Sequence, residues 1–218
     1  PNYPDGRIYP EYVANPQDFG CLKGINVLRV PLVARGKNTL CLLANYLSFL
    51  FASIFIGYFK LRRNHFDLVF VNQLSPVTVG LTGIFFAKVK KCPMVMWVLD
   101  LWPDTLLAIG ALRPGKAYSL IGELTGFIYQ RCALIFVSSK GFVPKIEERL
   151  TYVVPISHLP NWAELSFDVK AVAGTPQITD SSDCLKIMFA GNIGEAQDFE
   201  CILNAAELLK GRVNVRWI

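Results

Sequence analysis

Two short motifs in this chain contain residue types that could bind or transform a ligand. The first is Gly191-Asn192-Ile193-Gly194, which follows an apolar stretch beginning at Leu185 and precedes a helical pattern. Glycines at a strand-to-helix turn let a ligand approach the backbone, and the N–H groups that begin a helix favour an anion such as a diphosphate. We therefore expect Gly191 to end a strand, and Asn192 to Gln197 to form a phosphate-binding loop. A Gly-x-x-Gly turn alone is equally typical of a tight turn without a ligand.

The second motif is Asp100-Leu101-Trp102-Pro103, at the end of an apolar stretch that begins at Pro93. Open α/β sheets bind ligands outside the carboxyl ends of their strands. A carboxylate in that place could accept hydrogen bonds from sugar hydroxyls or act as a base on an acceptor hydroxyl, with Trp102 beside it. The alternative is that Asp100 caps the following helix, and for Asp104 we expect a cap rather than a catalyst.

A further polar group follows the apolar stretch 133–139, where Ser138, Ser139 and Lys140 end the segment. In a parallel sheet this strand end lies at the same edge as Asp100, so Ser139 is a candidate ligand-binding residue. Capping of the next helix is the other role open to Ser139.

Apolar stretches alternate with helical patterns along most of the chain. We predict strands over 25–33, 66–72, 93–100, 133–139 and 152–160, and helices over 76–89, 116–131 and 141–150. This alternation is typical of βαβ units and predicts an α/β fold with parallel sheets. Residues 163–184 are polar and predict a linker. We therefore expect one domain over 1–162, a linker over 163–184 and a second domain that starts at 185, with a ligand cleft between two facing sheets.

The segment 38–59 carries no charged residue and is long enough to span a bilayer. Polar residues interrupt it, and the βαβ pattern continues directly after it, which favours a helix packed on the sheet or lying at a membrane surface. Basic residues follow at Lys60, Arg62 and Arg63, and a second basic cluster is formed by Lys88, Lys90 and Lys91. These clusters could be solvated helix ends or could attract anionic lipid.

Composition excludes several classes of protein. Of the 218 residues 52% are hydrophobic and 18% are charged, which excludes a disordered chain. The net charge of +5 is too small to indicate nucleic acid as a partner. Two histidines and six scattered cysteines without a C-x-x-C pair indicate reduced thiols in a reducing compartment and no metal site. The dinucleotide fingerprint and the P-loop are both missing, which argues against a dehydrogenase and an NTPase.

Five segments, in this order and at suitable spacing, resemble a known family. The chain is similar to bacterial family 4 glycosyltransferases of the GT-B fold, and most similar to the branch with O-antigen and capsule fucosamine transferases. The segments are PNYPDGRIYPEY (1–12), WVLDLWPDTLLAIGAL (97–112), FVSSKGF (136–142), LPNWAE (159–164) and FAGNIGEAQDFECILNAAELL (189–209).

The resemblance implies two Rossmann-like domains, the first for the acceptor and the second for a nucleotide-sugar donor. It also implies sugar transfer with retention of anomeric configuration, without a metal or other cofactor. From the basic clusters and the apolar segment 39–59 we also expect the acceptor to be a lipid-linked saccharide at the cytoplasmic face of the plasma membrane. Asp100 would be the catalytic-site carboxylate, with Trp102 and Ser139 beside it, and Gly191, Asn192, Gly194 and Gln197 would contact the donor.

The resemblance also implies that residues 1–218 form part of a longer enzyme. The family's first strand and its Gly-rich loop would precede residue 1, and most of a truncated second domain, including a Glu-x7-Glu donor motif, would follow residue 218. This piece alone is therefore not expected to be active. Leu99 stands where many members have His, and Asn192 and Gln197 stand where many have Arg and Lys.

Two other functions stay open at this point. One is a nucleotide-sugar 2-epimerase on the same fold, which would act on the donor alone. The other is a membrane-anchored protein whose α/β part only binds a ligand, which requires the segment 39–59 to span the bilayer.

Overall fold

The computed structural model describes residues 6–36, 38–162, 184–191, 193, 197–211 and 214–218. The chain forms two compact units, one comprising Pro1–Thr105 with Arg113–Pro160, the other Leu106–Leu112 with Asn161–Ile218. The predicted linker lies outside the described residues except for Cys184. The domain limits therefore stay a prediction.

The first unit begins with short irregular pieces. Helix α1 (Pro10–Ala14) and a 3₁₀ turn (Pro16–Phe19) precede a small antiparallel hairpin of β1 (Cys21–Leu22) and β2 (Ile25–Asn26). The strand predicted over 25–33 is wrong beyond Asn26, because the backbone that follows has other partners. The Val33 N–H donates to Ser48 Oγ of the next helix at 2.9 Å, so a helix side chain replaces a neighbouring strand.

Helix α2 (Thr39–Leu61) begins where the Asn38 side chain accepts a hydrogen bond from the Cys41 N–H at 2.7 Å. One side of the helix packs on helix α3 (Val79–Lys90). Ser53 Oγ lies 2.9 Å from Thr82 Oγ1, and a Cβ on Gly57 would lie 2.8 Å from the Phe86 ring. In the described part of the chain, α2 is the one helix long and apolar enough to cross a membrane, and 11% of its most apolar stretch is buried.

A four-stranded parallel sheet forms the centre of the first unit, which confirms the predicted α/β class with a parallel sheet. The strands lie side by side in chain order, and helices occupy the crossovers between them. The elements are β3 (Val69–Gln73), β4 (Met94–Val98), α4 (Asp104–Ala108), α5 (Lys116–Tyr129), β5 (Leu134–Val137), α6 (Phe142–Glu147) and β6 (Ile156–His158).

The core lies around β4, whose five residues are all buried. Helix α3 approaches this strand and β3 through glycines. A Cβ on Gly80 would lie 2.4 Å from Ile128 Cγ2 of α5, and one on Gly83 would lie 2.4 Å from Val71 Cγ2 of β3. The lack of a side chain at these two positions lets α3, α5 and the sheet pack closely enough to exclude water.

The second unit contains a short parallel pair, β7 (Leu185–Ile187) and β8 (Val215–Trp217), with helix α7 (Phe199–Leu209) between them in the chain. The strand followed by a helix is the order expected after residue 185, and β8 adds a second strand. Phe189 after β7 stacks edge-to-face on Phe199 of α7, with ring centroids 4.9 Å apart.

Candidate functional site

The carboxyl ends of the parallel strands bring several of the predicted site residues to one edge of the sheet. Gln73 ends β3, Asp100 follows β4, and Ser139 follows β5. The register of the ladders, with Gln73 opposite Val98 and Val98 opposite Val137, places these strand ends next to one another. The sheet edge therefore carries a row of polar groups above an apolar core.

Asp100 and Trp102 are in direct contact, as the motif suggested. Trp102 Nε1 donates to Asp100 Oδ2 at 3.2 Å, and the indole is 8% exposed. Asp100 is half-buried, and its Oδ1 has no donor within the described residues. The carboxylate is thus oriented by the ring of a buried neighbour. The Asp100 side chain bonds to the Trp102 ring and not to the backbone of a helix, so the alternative role of helix cap is not observed.

Gln73 is a residue that the sequence analysis missed. Its side chain is fully buried, and Nε2 donates to the backbone oxygens of Leu74 at 2.6 Å and Asp100 at 2.9 Å. These bonds tie the end of β3 to the segment that carries the Asp100 carboxylate. The available signal was a polar residue directly after the predicted strand 66–72, because the same rule that selected Asp100 applies to every strand end.

Asp104 has a role other than the predicted helix cap. Its Oδ2 accepts from Arg149 Nη2 at 2.7 Å, its Oδ1 accepts from the Tyr118 hydroxyl at 2.9 Å, and Arg149 also donates to that hydroxyl at 3.1 Å. The cluster links the start of α4, the start of α5 and the segment after α6. Partial burial opposes ionisation, but the hydrogen bonds from Arg149 and Tyr118 outweigh it and hold the pKa of Asp104 below its ordinary value.

Ser139 lies in the turn that begins α6. Its Oγ accepts from the Gly141 N–H at 3.3 Å, and the side chain is exposed. This is a contact within the turn and not a helix cap, because the residue that caps α6 is Gly141 and the cap has no side-chain bond. The bond places the hydroxyl at the carboxyl edge of the sheet, and ligand binding by Ser139 stays a prediction.

The predicted donor loop is described only in part. Gly191 and Gln197 are exposed, whereas Asn192 and Gly194 lie outside the described residues. Asp198 precedes α7 with a left-handed backbone, φ 43°, and Glu200 lies in the first helical turn. These carboxylates lie near the positive end of the helix and would repel a diphosphate placed directly on it. Contacts of these four residues with a donor therefore stay a prediction. The Gly-x-x-Gly turn is a better candidate for binding the diphosphate than the end of the helix is.

The described residues contain no group of three or more His, Cys, Asp or Glu that could hold a metal ion. The basic and acidic side chains that meet in this part of the chain do so in pairs, of which Arg149 with Asp104 is the most buried.

Comparison with known proteins indicates the same class of enzyme as the resemblance. No family model matches the chain. It is 26% identical over 136 residues to a protein of Escherichia coli K12 named as the colanic acid biosynthesis glycosyl transferase WcaI, a match covering 57% of this chain and 32% of WcaI. It is also 26% identical over 144 residues to a Pseudomonas aeruginosa protein named as the glycosyltransferase WbjE, covering 63% of this chain and 36% of WbjE. The chain spans about a third of the length of these curated relatives. Their names support a glycosyltransferase role for it.

Proposed function

We propose that this chain is part of a retaining glycosyltransferase that moves a sugar from a nucleoside-diphosphate sugar to a lipid-linked saccharide in cell-surface polysaccharide biosynthesis. The carrying observation is Asp100, a carboxylate at the carboxyl edge of a parallel sheet with one oxygen open to a ligand. The similarity to two proteins named as glycosyltransferases supports the class of reaction. In this proposal residues 1–162 hold the acceptor, 163–184 are a linker, and 185–218 begin the donor domain.

Asp100 binds and orients the acceptor in this reaction. Its open oxygen accepts a hydrogen bond from the attacking sugar hydroxyl, while Trp102 fixes the carboxylate and Gln73 fixes its backbone. In a retaining enzyme without a protein nucleophile, the departing diphosphate takes the proton of that hydroxyl. Ser139 is a second hydrogen-bonding group at the same edge, and Gly191, Asn192, Gly194 and Gln197 contact the donor phosphates and sugar.

The test uses the full-length gene product with a panel of nucleotide sugars, with and without lipid-linked acceptor, and measures released nucleoside diphosphate. We expect release that depends on the acceptor. Asp100→Asn keeps the shape of the side chain and removes its charge, so we expect kcat/KM to fall about tenfold, equivalent to ~1.4 kcal/mol for one charge-assisted hydrogen bond. Asp67→Asn is the matched control, because Asp67 is 98% exposed and precedes β3 at the opposite edge of the sheet.

One result would contradict this function, and another would contradict the role of Asp100. Consumption or isomerisation of a nucleotide sugar without acceptor would indicate the 2-epimerase. An equal effect of Asp100→Asn and Asp67→Asn would remove Asp100 from the site while leaving the reaction class intact.

The proposal includes a place for the enzyme at the cytoplasmic face of the plasma membrane, with α2 on an anionic bilayer surface. The side of α2 opposite to Ser53 and Gly57 is apolar and exposed, formed by Leu40, Leu47, Phe51 and Phe55 at helical spacing. Basic residues lie at one end of this apolar side. Lys90 Nζ donates to the Asn64 carbonyl at 2.8 Å, and this bond brings the basic end of α3 next to the basic end of α2. The two clusters are Lys60, Arg62 and Arg63 with Lys88, Lys90 and Lys91. Apolar area beside positive charge is what an anionic interface binds.

Vesicle sedimentation of the full-length protein tests this location. We expect binding to phosphatidylglycerol vesicles but not to phosphatidylcholine vesicles, and at least about tenfold weaker binding when Phe51 and Phe55 are both replaced by serine. Val153→Ser is the control, since Val153 is 94% exposed and lies outside α2. Equal binding by both variants would contradict the role of α2 at the surface, and resistance to carbonate extraction would instead indicate a spanning helix.

A further inference from the structure

An open cavity lies at the amino ends of β4 and β5, at the edge of the sheet opposite to the one that carries Asp100. Its volume is about 510 Å³, and its lining includes Pro93 and Ala133, which precede the two strands. The Ala133 N–H donates to Met94 O at 2.7 Å, so the two strand starts are in contact. Residues from the end of α3 and from the segment after α5 complete the lining. The cavity therefore belongs to the first unit and is separate from the proposed transfer site.

The charged side chains in the described lining of this cavity are both cationic. They are Lys88 of α3 and Arg131, which follows α5, and the lining contains no aspartate or glutamate. Lys88 Nζ has no hydrogen bond or ion pair within the described residues. Arg131 donates through Nη1 to Phe127 O at 2.8 Å and lies 3.4 Å from the centre of the Phe127 ring, without a carboxylate partner. The cavity thus contains positive charge that no acidic side chain in this part of the chain neutralises.

The common explanation for such cations is neutralisation of helix dipoles, because both lie at carboxyl ends of helices. The end of α3, however, is closed by backbone bonds, from the Lys91 N–H to Lys88 O at 3.4 Å and from the Cys92 N–H to Ala87 O at 3.1 Å. Each helix end carries roughly half a negative charge and each cation one positive charge, so roughly one positive charge is left in the cavity. A compact anion would balance this charge.

We propose that this cavity binds a phosphate group, with Lys88 and Arg131 as the cationic side chains that hold it. Lysine binds phosphate as a point charge, and a guanidinium presents several N–H groups, of which Arg131 uses one within its own segment. The phosphate belongs either to a soluble phosphate compound or to the head of an anionic lipid, since the bond from Lys90 to Asn64 brings the basic end of α2 next to the end of α3. The inference does not depend on the proposed reaction.

Cys92 provides a local reporter of occupancy, because it is half-buried and contributes to the lining of the cavity. Cys132 also lines the cavity, but burial raises the pKa of its thiol to about 12, so it reacts slowly with an alkylating reagent near neutral pH. Cys21 is exposed in the β1–β2 hairpin, does not line the cavity and serves as the control thiol. An occupied cavity is expected to slow the alkylation of Cys92 and to leave that of Cys21 unchanged.

Alkylation of the full-length gene product by iodoacetamide, followed thiol by thiol by mass spectrometry, tests the site. One arm compares inorganic phosphate with chloride at equal ionic strength, and the other compares phosphatidylglycerol with phosphatidylcholine vesicles. We expect at least one probe to slow the reaction of Cys92 at least about threefold, which corresponds to a probe concentration of about twice Kd. Protection by inorganic phosphate would identify a soluble compound as the ligand, and protection by phosphatidylglycerol alone would identify a lipid head. No protection of Cys92 in either arm would overturn the proposal.

A pair of double variants separates a specific site from a general effect of charge. Lys88→Met with Arg131→Met is expected to weaken the protecting probe at least about tenfold. Arg113→Met with Lys116→Met is the matched control, because it removes the same charge from exposed positions at the other end of α5. The vesicle arm is measured where all of the protein sediments, and a Cys132 that stays unreactive shows that both variants are folded. Equal effects of the two double variants, or full protection without Lys88 and Arg131, would overturn the proposal.

Discussion

Gly83→Leu is expected to lower the free energy of unfolding by about 3 kcal/mol, because α3 packs too closely on the sheet for any side chain at this position. A Cβ there would lie 2.4 Å from Val71 Cγ2 and 2.8 Å from Met94 Sδ. Val71 is β-branched and stiff at χ1, and its strand is held in register with β4 by backbone hydrogen bonds, so the clash with Val71 is not relieved without shifting α3 or the strand. Urea unfolding of the variant and the parent chain measures the difference.

Gly141→Leu is the matched control for that measurement. Gly141 precedes α6, and the nearest atom to a Cβ there is Ser139 Oγ at 3.6 Å, an ordinary contact. We expect its unfolding free energy to change by about 0.5 kcal/mol or less, as for other substitutions on an open surface. A similar loss in both variants would mean that close packing of α3 does not limit the size of the residue at position 83.

The elements of the sheet could be predicted because their signals are local. Strands β4 and β5 are short apolar runs bounded by turn residues, and their observed limits lie one or two residues inside the predicted ones. The strand predicted over 25–33 failed for a reason that is not local. Its apolar residues would suit a strand, but the Val33 backbone bonds to the side chain of Ser48 on α2, and periodicity carries no information about such a partner.

The contacts of the candidate site also divide into local ones, which could be predicted, and long-range ones, which could not. Asp100 and Trp102 are two residues apart, and their hydrogen bond follows from the short turn after β4. Gln73 is 27 residues from Asp100, and Arg149 is 45 residues from Asp104. These contacts depend on which strands and helices become neighbours. From the residue types one could therefore predict that polar residues lie at strand ends, but not which side chains they contact. The result is that the sequence located the carboxylate but not the side chains that hold its surroundings.

Hydrogen bonds from two directions fix the turn that contains Asp100 and Trp102. Gln73 fixes the segment after β4 from the side of β3, and Asp104 begins the helix that follows the same segment. Arg149 holds Asp104 from the side of α6, so the turn that contains Asp100 and Trp102 is tied at both of its ends. A rigid turn matters for the proposed reaction, since a hydrogen bond to an attacking hydroxyl requires the carboxylate to be in place before the acceptor arrives.

Arg149→Met is expected to lower the free energy of unfolding by about 2 kcal/mol at pH 7. The variant leaves Asp104 as a partly buried carboxylate without its cation, and methionine preserves most of the packing. Breaking a fully buried pair costs ~3–5 kcal/mol, and the side chains here are 16% and 27% exposed, so solvent screening reduces the loss. Urea unfolding gives the measurement, and Lys145→Met is the control, because the pair of Lys145 with Glu148 is exposed and worth about 0.5 kcal/mol or less.

The loss caused by Arg149→Met should also depend on pH in a defined direction. Because the pKa of Asp104 is lower in the folded chain than its ordinary value of 3.8, its ionised form stabilises the fold fully above that value. As the pH falls below 3.8 through the folded pKa, Asp104 takes up a proton and the contribution is lost. The difference between the parent chain and the variant should therefore shrink below pH 3.8 and stay constant between pH 5 and pH 8. A difference that is independent of pH down to the acid transition would show that Arg149 stabilises the chain through its contacts with Tyr118 and Gly122 and not by its charge on Asp104.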